Sequence, residues 1–348
     1  MCVQSRGARA FTGATIRSIM VKLRDARVRS ADGTWRISMD RSCVSSRRAF
    51  LAALAVTPLS FLTLPGNSRA GDVQPLAKPI PSTGEPLPVV GMGTWITFNV
   101  ADDPVARDAR TDVLRAFFAA GGGMIDSSPM YGTTEAVVGG CLARLDRPAG
   151  LFSATKVWTS STAEGIEQIA TSERLWGLSR LDLLQVHNLL NWRGHLETLS
   201  AMKADGKVRY IGITTSHGRR HPELAQIMET QPIDFVQLTY NIADREAEAR
   251  LLPLAAERGI AVIANRPFQG GPLVDRVKRH PLPGWAREID CTAWSQVLLK
   301  FILSHPAVTC AIPATSRVDH MVQNMAAARG AMPDAALRRR MAVDVAAF

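Results

Sequence analysis

Short apolar runs recur along this chain at nearly constant intervals, and each run ends at a polar residue. The intervals between successive run ends are 30, 31, 27, 23 and 28 residues. Each interval holds one strand, one helix and two loops, and repetition of that unit favours a parallel sheet with helices outside it. The sequence therefore predicts an α/β fold, a (β/α)8 TIM barrel. The run ends that define the spacing are Asp126, Lys156, His187, Thr214, Gln237 and Asn265.

An N-terminal hairpin and eight strands make up the predicted barrel. The turn at 84–87 lies between two short strand patterns and predicts a β-hairpin that closes the bottom. The stretch from about Gln269 to Trp285 is rich in Gly and Pro, so we predict a long loop at the mouth. A doubly wound open sheet, the alternative, would usually carry a Gly-x-Gly-x-x-Gly turn after its first strand, and the sequence has none. The predicted strands are Val90–Trp95, Met124–Ser127, Leu151–Val157, Leu181–His187, Tyr210–Thr214, Phe235–Leu238, Ala261–Ala264 and Thr309–Ile312.

The positive charge of the chain is concentrated in its first 70 residues. The 348 residues carry a formal net charge of +10. Residues 1–70 hold 12 Lys+Arg and 3 Asp+Glu, a net of +9, which leaves 29 basic and 28 acidic side chains elsewhere, a net of +1. A nearly neutral body does not favour a broad phosphate-binding surface, so we predict no nucleic-acid partner.

The N-terminal segment has the parts of an export signal. Arg47 and Arg48 precede an apolar stretch that runs to about Leu64, and small residues flank Arg69 before Gly71. This combination is typical of a twin-arginine signal cleaved near Ala70; the alternative is a chance Arg-Arg before a hydrophobic helix. The apolar stretch is shorter than the roughly 20 residues of a spanning helix, so a permanent membrane anchor is not predicted.

These features divide the chain into four predicted segments. Residues 1–38 are a non-native or disordered leader, with Met39 as the true start, and 39–70 are the signal peptide. Residues 71–79 form a linker, and 80–348 form the barrel. The precursor is expected to engage the twin-arginine export machinery, and the mature protein to be periplasmic or otherwise exported.

Three cysteines belong to the predicted barrel. Cys141, Cys291 and Cys310 are too widely spaced for a disulfide framework or a metal cluster, so no metal site is predicted. We expect small buried side chains in helices and a strand, with a single disulfide left open.

Four polar side chains near strand ends form a candidate proton-donating site. The ends of parallel barrel strands converge on one mouth, where Asp126, Tyr131, Lys156 and His187 would meet. A tyrosine with its usual pKa of about 10 is a poor acid unless its phenolate is stabilised. We expect Lys156 to lower that pKa, Asp126 to keep the ammonium charged, and a neutral His187 to hold a substrate oxygen. Any one of these residues alone is more commonly part of a buried ion pair or a core histidine.

The order and spacing of several motifs resemble the aldo-keto reductases. The resemblance runs from about Ile80 to Asn324, and its motifs coincide with the predicted strand ends. They are Gly91-Met92-Gly93-Thr94-Trp95, Asp126-Ser127-Ser128-Pro129-Met130-Tyr131-Gly132, Ala154-Thr155-Lys156, Gln185-Val186-His187, Gln237-Leu238-Thr239-Tyr240-Asn241 and Ile312-Pro313-Ala314-Thr315-Ser316.

The resemblance implies reduction of a small aldehyde or ketone, with Tyr131 as the acid. It also implies NADP(H) extended across the mouth, with NAD(H) as an alternative. The implied cofactor-binding residues are Gly93, Thr94, Thr214, Thr215, Gln237, Asn265, Pro267, Phe268, Gln269, Gly270, Thr315, Ser316, Arg317, His320 and Asn324. A helix that begins after Ser316 would offer its N-terminus to a phosphate. Tryptophans after strands one, three and four are predicted to line the substrate pocket, with packing under loops as the alternative; they are Trp95, Trp158 and Trp192.

The sequence departs from the family pattern at cofactor positions. Thr214-Thr215 replaces a usual Ser-Asn, and Asn265 stands where a tyrosine commonly stacks on the nicotinamide. Ala314 and His320 stand where a lysine and an arginine commonly hold the 2′-phosphate, a contact that Arg317 and His320 are expected to supply. The alternative for Arg317 is a solvated charge at the start of the helix.

These departures support a second hypothesis, a binding or sensory protein on a reductase scaffold that holds a fixed cofactor. A third, a TIM-barrel hydrolase or isomerase, lacks the carboxylate pair or metal cluster that it would need.

Overall fold

The structure of the protein is a computed structural model, and it describes residues 74–348. The predicted leader, the predicted export signal and the first residues of the predicted linker lie outside the described residues. Within residues 74–348, no helix is long and apolar enough to cross a membrane.

Eight parallel strands form a barrel in the order of the chain, which confirms the predicted fold. Parallel bridges from Val90 to Ala311 and from Gly93 to Ala314 bring the first and last barrel strands together. The barrel strands are β3 (Met92–Gly93), β4 (Met124–Asp126), β5 (Phe152–Val157), β6 (Leu181–Val186), β7 (Val208–Thr214), β8 (Phe235–Thr239), β9 (Ala261–Asn265) and β10 (Cys310–Ala311).

Helices surround the barrel and begin and end at recognisable residues. Asp103 caps α1 by accepting from the backbone N–H groups of Val105 and Ala106, and Gly177 ends α3 in the left-handed conformation. The helices are α1 (Pro104–Ala119), α2 (Thr134–Arg144), α3 (Thr162–Trp176), α4 (Trp192–Ala204), α5 (His221–Thr230), α6 (Leu251–Arg258), α7 (Pro272–Val277), α8 (Trp294–Leu303), α9 (Val318–Ala326) and α10 (Ala335–Ala346).

The predicted hairpin is present. Strands β1 (Ala77–Pro79) and β2 (Pro86–Pro88) pair antiparallel, so β1 falls in the last three residues of the predicted linker. Ile80 and Leu87 enter the interior apolar cluster of the barrel. Lys78 Nζ donates to the carbonyls of residues 303, 305 and 308 at 2.7–2.8 Å, which ties the hairpin to the end of α8 and the loop beyond it.

The predicted long loop at the mouth contains ordered structure. Helix α7 lies inside the stretch from Gln269 to Trp285, and a 3-10 helix, Gly284–Ile289, follows it. The Gly and Pro content favoured a loop, but the stretch contains a short helix whose Leu273 and Val277 are buried. The prediction of a loop was therefore wrong for these residues, whereas several of them do lie at the mouth.

The three barrel cysteines are free and buried. Cys141 lies in α2, Cys310 lies in β10, and Cys291 lies just before α8. Burial raises the pKa of Cys291 to about 11 and that of Cys310 to about 12. These thiols are therefore small packing groups rather than nucleophiles.

Candidate active site

Strand alternation places the site residues inside the barrel. Side chains two residues apart on a strand point to the same face. Met124, Ala154 and Leu183 belong to the interior apolar cluster, so the next residues on the same face point inward, one level nearer the mouth. The same step leads from Phe235 to Gln237 and from Ile263 to Asn265. The resulting polar layer consists of Asp126, Lys156, Gln185, Gln237 and Asn265, all of them buried.

Asp126 and Lys156 form a buried ion pair. Lys156 Nζ donates to Asp126 Oδ2 at 2.6 Å and to the Ser127 carbonyl at 2.7 Å. Burial by itself lowers the pKa of Lys156, but the Asp126 carboxylate more than offsets it, and the net shift is upward. The ammonium is therefore charged although it is fully buried.

Two amides hold the other oxygen of this carboxylate. Gln185 Nε2 donates to Asp126 Oδ1 at 3.1 Å, and Gln237 Nε2 donates to it at 2.9 Å. Gln237 thereby connects the ion pair to Thr214 and Asn265, each 3.5 Å from its Oε1. The sequence predicted Gln237 as a cofactor ligand but did not reveal this second role.

Tyr131 ends a 3-10 turn, Pro129–Tyr131, directly after β4. Lys156 Nζ lies 5.4 Å from the centre of its ring. Burial raises the pKa of Tyr131, and the lowering effect of Lys156 does not overcome it. The predicted lowering by Lys156 is therefore present, but burial outweighs it in the free protein. The phenol is protonated at neutral pH, with a cation beside it to stabilise the phenolate once the proton has left.

His187 completes the predicted four-residue group. Its ring packs edge-on against Tyr131, with centroids 5.7 Å apart. Burial, with a further contribution from the nearby Lys156 charge, lowers the pKa of His187 to about 3. The imidazole is therefore neutral at physiological pH, as the sequence predicted.

A cavity of about 640 Å³ opens over this group. That volume lies within the range of small-molecule sites. Most of the predicted site residues line it: Gly93, Thr94, Trp95, Asp126, Tyr131, His187, Thr214, Gln237, Asn265, Pro267, Phe268, Gly270, Thr315, His320 and Asn324. Lys156 lies beneath this lining, where it contacts Asp126.

Two predicted substrate tryptophans lie elsewhere. Trp192 begins α4 and packs in the apolar core, where its Nε1 donates to Glu223 at 3.0 Å. Trp158 follows β5 and is 41 % exposed outside the cavity lining. The prediction that they line the pocket was wrong, because position after a strand does not fix the direction of a side chain in the following loop.

Four predicted cofactor residues also lie outside the lining. Gln269 turns away and donates to Asp244, and Arg317 forms two hydrogen bonds with Asp319, at 2.6 and 3.0 Å. Ser316 is exposed next to Arg317. The hydroxyl of Thr215 is buried and has no hydrogen-bond partner among the described residues.

Asn265 is fixed by polar contacts. Its Oδ1 accepts from Thr239 at 2.7 Å, and its Nδ2 donates to the Thr215 carbonyl at 2.9 Å. It therefore extends the amide layer formed by Gln185 and Gln237 instead of offering an aromatic surface.

The structure also reveals lining residues that sequence reasoning missed. Arg266 and Lys278 lie in the same wall as His320, where Lys278 is paired with Asp275, a further lining residue, at 2.6 Å. Arg266 directly follows the end of β9, so its position next to a polar strand end was a signal in the sequence. The further lining residues include Ile96, Met130, Asn188, His217, Trp294 and Gln323.

This arrangement suits a nicotinamide cofactor and a carbonyl substrate. Buried amide and hydroxyl groups at Thr214, Gln237 and Asn265 can bind a carboxamide. Arg266 offers charge to a diphosphate, and Lys278 could do so after leaving Asp275. Tyr131 and His187 face the same space as these groups, so a carbonyl placed between them would meet a proton donor.

Comparison with known proteins agrees with this geometry. The family model described as Aldo/keto reductase family matches residues 89–340. Methylglyoxal reductase YeaE of Escherichia coli (strain K12) is 30 % identical over 249 residues, covering 69 % of this chain and 85 % of that protein. The NADH-specific methylglyoxal reductase of the same organism is 26 % identical over 257 residues, covering 64 % and 77 %.

Solved structures show the same fold. A Klebsiella pneumoniae aldo/keto reductase in complex with NADP and acetate superposes with a TM-score of 0.61 at 25 % identity, covering 74 % of this chain and 91 % of that chain. A glycerol dehydrogenase from Gluconobacter oxydans superposes with a TM-score of 0.65 at 20 % identity, covering 78 % and 95 %.

Proposed function

Since the chain belongs to the aldo/keto reductase family, we propose that it reduces an aldehyde or ketone to an alcohol with NAD(P)H, and that Tyr131 supplies the proton. The observation that carries this proposal is the joint placement of Tyr131, His187 and the Lys156–Asp126 pair beneath one cavity. A nicotinamide cofactor, when bound, supplies the hydride.

The residues of the chain handle the oxygen of the substrate. His187 is neutral, so it positions the carbonyl oxygen by donating a hydrogen bond and does not bring a positive charge to it. Tyr131 then transfers its phenolic proton to that oxygen as negative charge develops there. Lys156 stabilises the phenolate that remains, and Asp126 keeps Lys156 charged and directed toward the site.

We propose NADP(H) as the expected cofactor, with NAD(H) as the alternative. Arg266 would hold the diphosphate, joined by Lys278 if it exchanges its partner Asp275, and His320 would meet an additional phosphate. Arg317, engaged by Asp319, would have to exchange that partner to contribute. Both possibilities have support, because one similar structure contains NADP and one relative is NADH-specific.

The proposed substrate is a small carbonyl compound such as methylglyoxal. Two relatives are methylglyoxal reductases. Around Tyr131, the cavity is lined by Trp95, Ile96 and Met130, which offer apolar surface to a short carbon chain.

A direct experiment tests the activity. The protein from Gly71 onward is titrated with NADPH and NADH by fluorescence, and turnover is followed with methylglyoxal and an aromatic aldehyde. We expect turnover that falls by about 10²–10⁴-fold in Tyr131→Phe. Turnover that survives unchanged in Tyr131→Phe would exclude the proposed proton donor.

The alternative function, a binding or sensory protein with a fixed cofactor, is favoured by Asn265. This residue gives a bound nicotinamide no aromatic stacking surface. Tight cofactor binding without turnover across the aldehyde panel would support this alternative.

We also propose export of the precursor by the twin-arginine route. The support is the Arg47-Arg48 pair and the small residues before Gly71. Expression in cells is followed by sequencing of the N-terminus in periplasmic and cytoplasmic fractions. A periplasmic form that begins at Gly71 and disappears in an Arg47→Lys/Arg48→Lys variant is the expected result.

A further inference from the structure

Ser128 lies between the two residues proposed to contact the substrate oxygen. It is fully buried, and its hydroxyl oxygen is 2.8 Å from His187 Nδ1. The same oxygen accepts from the Met130 backbone N–H at 3.2 Å, which caps the short turn that carries Tyr131. One hydroxyl therefore contacts both the imidazole and the turn of the phenol.

The direction of the bond to His187 follows from the partners of the Ser128 hydroxyl. A serine hydroxyl has one hydrogen to donate and can accept two. The Met130 N–H occupies one acceptor position, and within residues 74–348 the hydroxyl has no acceptor in reach other than His187 Nδ1. If Nδ1 carried the proton, both groups would be donors to the same oxygen, and the Ser128 hydrogen would be buried without a partner. Leaving a buried donor without a partner disfavours that tautomer.

We infer that Ser128 donates to His187 Nδ1 and thereby fixes the tautomer in which Nε2 carries the proton. Ser128 is a positioning residue, because it acts through His187. The tautomer is a property of the free protein. Only its effect on a bound carbonyl substrate rests on the proposed function.

The consequence concerns the nitrogen that faces the cavity. His187 lines the cavity, and no group of the described residues forms a hydrogen bond with its Nε2. With the proton on Nε2, this nitrogen donates to a carbonyl oxygen. With the proton on Nδ1, it would present a lone pair to that oxygen and repel it. Tyr131 and His187 could then no longer both donate a hydrogen bond to that oxygen.

Two variants separate the tautomer from the capping of the turn. Ser128→Asp keeps an acceptor for the Met130 N–H, and aspartate is a good cap. Its carboxylate can only accept from His187, so it should move the imidazole proton to Nδ1. Ser128→Thr keeps the hydroxyl and should restore the wild-type tautomer. Ser127→Ala is the matched control, because the neighbouring Ser127 hydroxyl is buried without a partner.

The tautomer is read by nitrogen-15 NMR of histidine-labelled protein. The chain has seven histidines, and a His187→Asn spectrum assigns the relevant signals. We expect a protonated Nε2 and an unprotonated Nδ1 in the wild type, Ser127→Ala and Ser128→Thr, and the reverse in Ser128→Asp. A protonated Nδ1 in the wild type, or an unchanged tautomer in Ser128→Asp, would overturn the inference.

Steady-state kinetics test whether the tautomer matters for turnover. In Ser128→Asp, kcat should fall on the order of 100-fold, the scale for loss of one donor to a developing oxyanion, with cofactor affinity unchanged. A wild-type tautomer as inferred, together with no Tyr131-dependent turnover, would refute the proposed function alone. Tyr131-dependent turnover with a protonated Nδ1 in the wild type would refute the present inference alone.

Discussion

The two ends of the barrel each contain a tyrosine and a buried or half-buried lysine, but they use them differently. At the bottom, the Tyr210 hydroxyl donates to Glu85 at 2.5 Å and contacts Thr83 at 2.9 Å, and Lys78 donates to three carbonyls. At the mouth, Tyr131 faces the cavity, and the bonds of Lys156 hold it in place beside the phenol. The polar groups at the bottom form their hydrogen bonds within the protein, whereas Tyr131 at the mouth faces the cavity and can bond to a ligand.

The backbone shows the same contrast. Among residues 74–348, twelve residues other than glycine have positive φ, and ten of them lie in connections that follow a barrel strand. Two, Asp146 and Arg147, lie in the connection at the bottom between α2 and β5. Left-handed backbone is costly for residues other than Gly, Asn and Asp and is tolerated where the surroundings enforce it. Backbone of this kind is therefore concentrated at the end that holds the candidate active site.

The largest expected difference between the ends is in catalysis. Tyr131→Phe should lower kcat by about 10²–10⁴-fold with little loss of stability, because the lost hydroxyl is the proposed proton donor. Tyr210→Phe should leave kcat unchanged and lower the free energy of unfolding by about 1–2 kcal/mol, because Glu85 loses a hydrogen-bond donor. Steady-state kinetics and urea unfolding measure both. A large kcat loss in Tyr210→Phe would break the comparison.

The two lysines should differ in the cost of removal. Lys156→Met leaves the Asp126 charge buried without its cation, which should lower the free energy of unfolding by about 3–5 kcal/mol. The double variant Asp126→Asn/Lys156→Met should recover part of this loss while remaining inactive. Lys78→Met should cost less, about 1.5–3 kcal/mol, and preserve kcat. Equal losses of activity in both single variants would contradict the distinction.

Lys78 also gives the bottom a pH dependence. Burial, with a smaller effect of Arg338, lowers its pKa to about 8 from 10.5. The unfolded chain therefore binds more protons than the folded protein between pH 8 and 10.5, so the contribution of Lys78 to stability rises with pH in that window. The rise is at most about 3 kcal/mol. The buried thiols, whose pKa values are raised from 9.0, oppose this rise at high pH in both proteins. The difference in the free energy of unfolding between the wild type and Lys78→Met, measured in urea at pH 7.5 and at pH 10, should therefore shift in favour of the wild type at pH 10.

The smallest predicted effect tests the strain at the mouth. Ile96 lines the cavity with φ +64°, an unfavourable conformation for a β-branched residue, and it is 64 % exposed. Ile96→Gly should therefore raise the free energy of unfolding by about 1 kcal/mol. Ile166, 54 % exposed within α3, is the matched control, and Ile166→Gly should lower it by about 0.5–1 kcal/mol. Thermal unfolding that shifts in the same direction for both variants would argue against strain at Ile96.

Local patterns in the sequence predicted the barrel because each strand carries its own apolar run and polar end. The same patterns placed Asp126, Lys156 and Gln237, since strand alternation fixes their direction, whereas His187 follows the end of β6 and begins a 3-10 turn. Side chains in the loops were not predicted in this way. Trp192 turned into the core, and a short helix replaced the expected loop before Trp285.

Contacts between distant parts of the chain could not be predicted from the sequence either. Ser128 and His187 are 59 residues apart, and Asp126 and Gln237 are 111 residues apart. Their contacts depend on the distance across the barrel, which no local pattern encodes. The burial that raises the pKa of Tyr131 was not predicted either.

The junction of the first and last barrel strands has a consequence for ligand binding. Gly93 has no space for a side chain, since an added Cβ would lie 2.8 Å from the Ile312 carbonyl oxygen, and its N–H donates across the junction to the Pro313 carbonyl at 3.1 Å. Thr94 on one edge and Thr315 on the other both line the cavity. A molecule bound there would span both edges and hinder their separation, so occupancy should slow deuterium uptake at the Gly93 amide.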